Sequence, residues 1–136
     1  MRIYIASSWK NEHGVEMLTR HLENRGHTVI SFVRAATDKE NLNEETGFNE
    51  WVFSEDGTKK FQYDIDGATK SNLVIYYGPS GTDAWAEVGA AYGSGVKIYG
   101  LWSKGEPAGL MRRMVIWFNN IGSLLDAVHI LDTTSA

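Results

Sequence analysis

One carboxylate draws attention because its neighbours are small and apolar. Residues 78–93 read GPSGTDAWAEVGAAYG, a turn-rich loop followed by an alanine-rich helix that carries Glu87. Ala84, Val88 and Ala91 have the i, i+4, i+7 spacing of a core-facing stripe, and Glu87 borders that stripe. A carboxylate against apolar surface has a raised pKa unless it is paired, and it can act as a nucleophile or as a general acid or base. The alternative from spacing alone is a partly exposed helix glutamate.

The loop ahead of this helix is a candidate anion site. The segment 78–81 predicts a turn after an apolar strand, and Thr82 or Asp83 is expected to cap the helix. The free amides of a helix N-terminus, with Ser80 and Gly81 just ahead of them, suit a phosphate, so Ser80, Gly81 and Thr82 are expected to bind substrate. The segment has neither the Gly-Lys-Ser/Thr of a Walker loop nor a GxGxxG fingerprint, so an ordinary strand-to-helix turn remains the alternative.

A second carboxylate comes from the segment before that strand. Asp64 and Ala68 share a face of a predicted helix, whereas Asp66 points elsewhere, so only one of the two acids is expected at a crevice. Two carboxylates at a sugar-sized pocket have a chemical logic, because one can form a covalent bond while the other orients or protonates. Solvated helix acids are the alternative.

The end of the first strand offers hydroxyl groups and an indole. Ser7 and Ser8 could meet a phosphate or a sugar, and Trp9 could stack on a base. Helix capping by the serines and a tryptophan packed on the surface are the alternative.

Several other classes of site lack support in the sequence. The chain has no cysteine, which excludes disulfides and thiolate chemistry, and no GxSxG elbow. Its four histidines show no metal-binding spacing, so no metal and no cofactor are expected: His13, His21, His27 and His129. Arg112 and Arg113 could bind phosphate, but an exposed helix is the favoured interpretation.

The net charge of the chain and its N-terminal sequence limit the classes of binding partner that we expect. The net charge of −4 argues against nucleic acid or an anionic membrane as the main partner. No apolar run is long enough to span a bilayer, and the N-terminus reads as a strand rather than as a signal peptide. We therefore expect a cytoplasmic protein.

The elements that position these residues follow from their hydrophobic patterns. Five apolar runs predict strands: RIYIA (2–6), HTVISFV (27–33), LVIYY (73–77), VKIYGLW (96–102) and VIWF (115–118). Helices are predicted between them, with Phe61, Ile65 and Ala68 on one helical face and Ser123 capping the last helix. Residues 110–121 would also suit one longer helix.

Alternating strands and helices imply an α/β fold in a single domain, with a parallel sheet covered on both faces. Ligands of such sheets bind beyond the carboxyl ends of the strands, near the point where strand order reverses. The polar stretch at about residues 34–60 is predicted to be an insertion over one end of the sheet. Trp51, Val52 and Phe53 favour a lid that packs on something.

The order of the motifs resembles the nucleoside 2-deoxyribosyltransferase family, including its small relatives that hydrolyse deoxynucleoside monophosphates. The resemblance rests on RIYIASSW and on residues 61–101, and it implies a flavodoxin-like three-layer sandwich with a five-stranded parallel sheet. By this resemblance Glu87 is the nucleophile that holds a covalent deoxyribosyl intermediate, and Asp64 places the sugar and base. Ser7 matches a loop serine of the monophosphate hydrolases, and Ser80 and Gly81 fall in their phosphate-side loop.

The resemblance also implies a partner and an assembly. The ligand would be a small-molecule nucleoside or nucleotide, and the protein a homo-oligomer, dimeric or larger. A non-catalytic nucleotide-binding module and a glycohydrolase of NAD-type dinucleotides remain the alternative functions.

Overall fold

Short runs of β-branched and aromatic residues build the central sheet. The computed structural model describes residues 1–35 and 48–134. Over these residues the sheet has five parallel strands in the order β2-β1-β3-β4-β5, with these bounds: β1 Arg2–Ala6, β2 Thr28–Ile30, β3 Leu73–Tyr77, β4 Lys97–Leu101 and β5 Ile116–Phe118. The expectation of a five-stranded parallel sheet is confirmed.

Helices cover both faces of the sheet. They are α1 Glu12–Asn24, α2 Phe48–Val52, α3 Glu55–Lys70, α4 Thr82–Gly93 and α5 Ile121–Thr134. Side chains of β1 and β3 alternate between two cores, as the period of a strand requires. Ile3 and Ile75 pack in one core with α1 and α5, and Tyr4 and Tyr76 pack in the other with α3 and α4. None of the described helices is long and apolar enough to cross a membrane.

The strand order puts the crevice beside β1 and β3. From β1 the chain passes through α1 to β2 on one side, and β3 then returns to the opposite side of β1. The order therefore reverses between β1 and β3, and the loops at their carboxyl ends flank the crevice that binds ligands in such folds. Residues 7–11 and 78–81 lie in these two loops.

Some element boundaries differ from the sequence expectation. Strand β2 covers only three residues, and Phe32–Arg34 forms a 3-10 helix instead. The predicted strand VIWF is present as β5, preceded by a 3-10 helix over Leu110–Met114, so residues 110–121 are not one long helix. Helix α5 begins at Ile121, and the side chain of Asn120 accepts the amide of Ser123, so Ser123 is not its cap.

The predicted insertion is helical at its carboxyl end. Helix α3 begins at Glu55, where Ser54 caps it by accepting the Gly57 amide, so the stretch does not run unstructured to residue 60. Phe53 is 83% exposed, which contradicts its expected packing in a lid. Phe61 is 62% exposed although it shares a helical face with buried Ala68. Residues 36–47 of the predicted lid lie outside the described residues.

Candidate active site

The carboxyl group of Glu87 meets a tyrosine of the first strand. Tyr4 Oη donates a hydrogen bond of 2.7 Å to Glu87 Oε1. Helix α4 turns Ala84, Val88 and Ala91 into the core, so Glu87 lies at the edge of this stripe and is only partly buried. Tyr4 reaches it because Gly67 of α3 has no side chain, and a Cβ there would overlap the tyrosine ring.

Burial and charge shift the ionisation of this pair. Burial first, and the negative charge of Asp64 second, raise the pKa of Glu87 to about 8, against smaller opposing effects of the Tyr4 hydrogen bond and of Lys60. Burial also raises the pKa of Tyr4, with further contributions from Glu87 and Asp64, so the hydroxyl stays a donor. The protonated form of Glu87 therefore persists to higher pH than that of an ordinary glutamate.

Asp64 is the second carboxylate of the site. It lies on α3, where Lys60 one turn earlier places its Nζ 2.7 Å from both carboxylate oxygens. Both side chains are largely buried, at 16% exposed for Lys60 and 19% for Asp64. Asp66 instead bonds Gln62 and Lys70 on the outer side of α3. The structure thus brings Asp64, Glu87 and the Tyr4 hydroxyl together and leaves Asp66 outside.

Side chains that donate hydrogen bonds to its backbone carbonyl groups hold the loop after β3 in place. Ser7 Oγ donates to the Tyr77 carbonyl at 2.6 Å, and Asn11 Nδ2 donates to the Pro79 carbonyl at 2.9 Å. Ser103 Oγ donates to the Gly78 carbonyl at 2.8 Å. Side chains on both sides of the loop thus tie its acceptors to the protein. Ser7 acts here on the loop backbone, and a contact with ligand remains a prediction.

The start of α4 differs from the expected cap. Gly81 is the N-cap residue, and among the described residues no side chain caps the helix, so neither Thr82 nor Asp83 does so. Gly81 and Thr82 are exposed. Ser80 is buried, and its Oγ has no hydrogen-bond partner within the described part of the chain. Within the described part of the chain the first amides of α4 thus lack a side-chain acceptor, and the helix starts after the carboxyl end of β3.

Trp9 packs against another aromatic side chain. The centroid of its ring lies 4.2 Å from that of the Phe32 ring, and the two ring planes are tilted. The Trp9 side chain is half-buried. This contact explains the position of the indole as part of the core that covers β1 and β2. Base stacking by Trp9 remains a prediction.

Sequence reasoning missed Tyr4, Lys60 and Asn11. A tyrosine within an otherwise aliphatic strand was the available signal for Tyr4, because a buried phenol needs a polar partner. Lys60 stands four residues before Asp64, the spacing of a helical ion pair. Arg112, expected on an exposed helix, is instead half-buried and paired with Glu106. Arg113 is exposed.

The site is built from carboxylates, a phenol and backbone amides. Across residues 1–35 and 48–134, no three His, Cys, Asp or Glu side chains converge as a metal ion would require. The groups present can supply a nucleophile, charge stabilisation next to it and donors for an anion.

Comparisons with known proteins agree on the fold. No protein-family model and no curated protein matches the chain. The structure is similar to a CMP N-glycosidase, BcmB, from Clostridium botulinum, with 20% identity, coverage of 96% of this chain and 99% of that one, and a TM-score of 0.59. It is also similar to a 2-deoxyribosyltransferase from Bacillus psychrosaccharolyticus, with 22% identity, coverage of 91% and 90%, and a TM-score of 0.63.

A third similar structure is a conserved protein from Enterococcus faecalis, with 14% identity, coverage of 95% of this chain and 74% of that one, and a TM-score of 0.55. At these identities the likeness concerns the fold. The resemblance drawn from the sequence is confirmed at that level, because the neighbours include a 2-deoxyribosyltransferase and a nucleotide N-glycosidase.

Proposed function

We propose that this protein is an enzyme that cleaves the N-glycosidic bond of a nucleoside or its 5′-monophosphate, with Glu87 as the nucleophile. The observation that carries the proposal is the convergence of Glu87, Asp64 and the Tyr4 hydroxyl beside the crevice of the sheet. Similar structures that are a CMP N-glycosidase and a 2-deoxyribosyltransferase support the same chemistry.

The reaction would proceed in two displacements. A carboxylate oxygen of Glu87 attacks the anomeric carbon, the bond from that carbon to the base nitrogen breaks, and the base leaves with the electron pair and takes a proton from solvent. Water then attacks the same carbon, the glycosyl ester bond breaks, and the carboxylate of Glu87 is restored as the water loses a proton. A second base in place of water would give exchange instead of hydrolysis.

The groups around Glu87 would stabilise the charges that develop during this reaction. Positive charge develops on the sugar in the oxocarbenium-like transition state, and two carboxylates beside it stabilise that charge. The Tyr4 hydroxyl donates to Glu87 and so favours its ionised, nucleophilic form. The ion pair with Lys60 fixes the carboxylate of Asp64 next to the site, where it would orient the sugar.

The start of α4 supports a phosphorylated substrate. None of the described side chains caps its first amides, and the helix dipole favours negative charge at this end. Ser80, Gly81 and Thr82 lie just here, and buried Ser80 has a hydroxyl without a partner in the described residues. We infer that this end of the crevice takes the 5′-phosphate when the substrate carries one.

A base-release assay tests the function. Deoxynucleosides, ribonucleosides, their 5′-monophosphates and NAD would each be incubated with the protein, with and without an acceptor base, and analysed by chromatography. We expect release or exchange of base, and a loss of about a thousandfold or more in Glu87→Gln, because the nucleophile is removed. The variant keeps the acceptor for Tyr4, so it should fold.

Glu55→Gln is the matched control, since Glu55 is exposed and forms a surface ion pair with Lys59. Undiminished turnover in Glu87→Gln would exclude the assigned role. Nicotinamide release from NAD alone would favour a dinucleotide glycohydrolase, and binding without turnover would favour a nucleotide-binding module. The proposed homo-oligomer, the cytoplasmic location and the single domain over residues 1–136 remain predictions.

A further inference from the structure

A buried carboxylate outside the proposed catalytic group lies between β4 and the 3-10 helix that follows. Only 2% of the Glu106 side chain is exposed. Tyr76 Oη donates to its Oε2 at 2.7 Å, and Trp85 Nε1 donates to its Oε1 at 3.2 Å. Arg112 Nη2 approaches Oε1 at 3.2 Å, and its guanidinium stacks on the Trp85 ring at 3.8 Å. One carboxylate thus joins β3, α4 and the 3-10 helix.

A gain in folding stability is a weak explanation for a buried network of charged side chains. Removing two charges from water costs free energy that their attraction often fails to repay, so apolar side chains of similar volume would hold these elements as well. What the carboxylate adds is directional bonding, because it fixes the orientation of the groups that donate to it. The position of those groups relative to the site therefore decides what the network does.

The network contacts the loop at the start of α4. Glu106 Oε2 packs so closely on Gly78 that a Cβ there would overlap it. The Tyr76 hydroxyl, which donates to Glu106, also lies so close to Gly78 that a Cβ there would overlap it. Ser103, three residues before Glu106, donates to the Gly78 carbonyl. The segment 103–106 therefore holds the loop at Gly78 from one side.

The opposite side of the loop is held from α1 and its approach. Asn11 Nδ2 donates to the carbonyls of Tyr77 and Pro79, and Ser7 Oγ donates to that of Tyr77. With the carbonyls of residues 77–79 tied to the protein, the loop presents acceptors inward and leaves the first amides of α4 as donors. An anion is favoured by that arrangement, and a shift of the loop would bring carbonyl oxygens toward it.

We propose that Glu106, paired with Arg112, is a positioning residue that fixes residues 78–81 in an anion-binding conformation and so sets the preference for 5′-phosphorylated over unphosphorylated substrates. The substrate preference rests on the proposed function. The anion-binding part does not, because it concerns only the backbone amides of the loop and of α4.

Two measurements test the inference on Glu106→Gln, which keeps the shape of the side chain and one acceptor oxygen but removes the charge. The first is steady-state kinetics on a nucleoside and on its 5′-monophosphate. We expect KM for the monophosphate to rise about tenfold with kcat changed less than about twofold, and both constants for the nucleoside to stay within about twofold. Glu23→Gln, which breaks an exposed ion pair with Arg34, is the matched control.

The second measurement is amide hydrogen exchange with inorganic phosphate as the probe. In the wild type, phosphate should slow exchange at residues 81–84, and Glu106→Gln should need about tenfold more phosphate for equal protection. Exchange in α5 should be the same in both proteins. If Glu106→Gln does not fold, Ser103→Ala removes one donor to the loop and should shift the phosphate response in the same direction.

The outcomes separate the two proposals. A wild type that responds to phosphate but turns over no nucleotide would sink the proposed function and leave the anion-binding inference standing. No response to phosphate in the wild type, or an unchanged response in the variant that folds, would overturn the inference. Equal losses on both substrates together with faster exchange in α5 would also overturn it, because they indicate a general structural role.

Discussion

At the scale of single residues, the chemistry depends on how Glu87 shares its surroundings with Tyr4 and Asp64. Burial and the Asp64 charge favour the protonated acid, whereas the Tyr4 hydrogen bond favours the carboxylate. The same group must be ionised to attack carbon. The balance of these effects should therefore appear in the pH dependence of turnover.

The pH profile follows from the raised pKa of Glu87, which is about 8. Below that pH the ionised fraction falls about tenfold per pH unit, so log kcat/KM should rise with a slope near one from about pH 6 and level off above about pH 8. Steady-state rates at limiting substrate give this profile for the free enzyme. A profile that is flat or falls over this range would argue against an ionised Glu87 as nucleophile.

Tyr4→Phe isolates the effect of one hydroxyl. Loss of the donor removes a group that stabilises the Glu87 carboxylate, so the rise in kcat/KM should move to higher pH and the value at pH 7 should drop about tenfold. Tyr92→Phe is the control, because Tyr92 of α4 is exposed. Overlapping profiles for Tyr4→Phe and the wild type would show that the hydroxyl does not govern this ionisation.

At the scale of elements, α3 and α4 pack side by side on the face of β1 that carries Tyr4. Each helix carries one of the two carboxylates. The distance between these carboxylates depends on how closely α3 packs on the ring of Tyr4. Gly67 allows that approach, since any side chain at this position would meet the ring. The distance between the two carboxylates is thus a property of helix packing as well as of the residues themselves.

Two glycine substitutions test this packing. Gly67→Ala should lower the free energy of unfolding by about 1–3 kcal/mol, because the added methyl group overpacks the core. Gly89→Ala of α4 should raise it by about 0.5–1 kcal/mol, since a Cβ there has nothing within 4 Å among the described residues and alanine favours a helix. Urea denaturation measures both, and equal stabilities of the two variants would refute the role of Gly67.

At the scale of the whole molecule, strand order decides which loops meet. The alternating pattern of strands and helices was enough to predict the parallel sheet, whereas the observed strand order was needed to place its reversal between β1 and β3. The pairing of Tyr4 with Glu87 was not predictable, because it joins residues far apart in the chain and depends on the register of β1 against α4. The start of α3 was missed because polar residues 55–60 carry no apolar stripe.

The N-terminus of α4 is a second feature that could not be predicted from the sequence. Thr82 and Asp83 are good capping residues, yet Gly81 occupies the N-cap position of α4, and none of the described side chains caps it. The loop 78–80 is fixed by contacts with Asn11 and with the segment 103–106, which lie distant in sequence. Intrinsic preference was overridden there by tertiary contacts.

The exposed apolar side chains between β4 and β5 predict self-association. Trp102, Leu110, Met111 and Ile116 are each about half exposed or more, which is typical of surfaces covered by a partner. Light scattering should give a mass at least twice the 15.2 kDa of one chain. Leu110→Asp should lower that mass, whereas Met17→Asp on α1 should not. A wild-type mass of one chain at micromolar concentration would contradict this prediction.

Trapping the covalent intermediate would show directly whether Glu87 is the nucleophile. The protein would be incubated with a 2′-deoxy-2′-fluoronucleoside or its 5′-monophosphate and examined by intact and peptide mass spectrometry, because the fluorine destabilises the oxocarbenium-like transition state and prolongs the glycosyl ester. We expect a mass increase of one fluorinated sugar, located on Glu87 and absent from Glu87→Gln. Base release from the natural substrate that persists in Glu87→Gln, or an adduct on another residue, would contradict it.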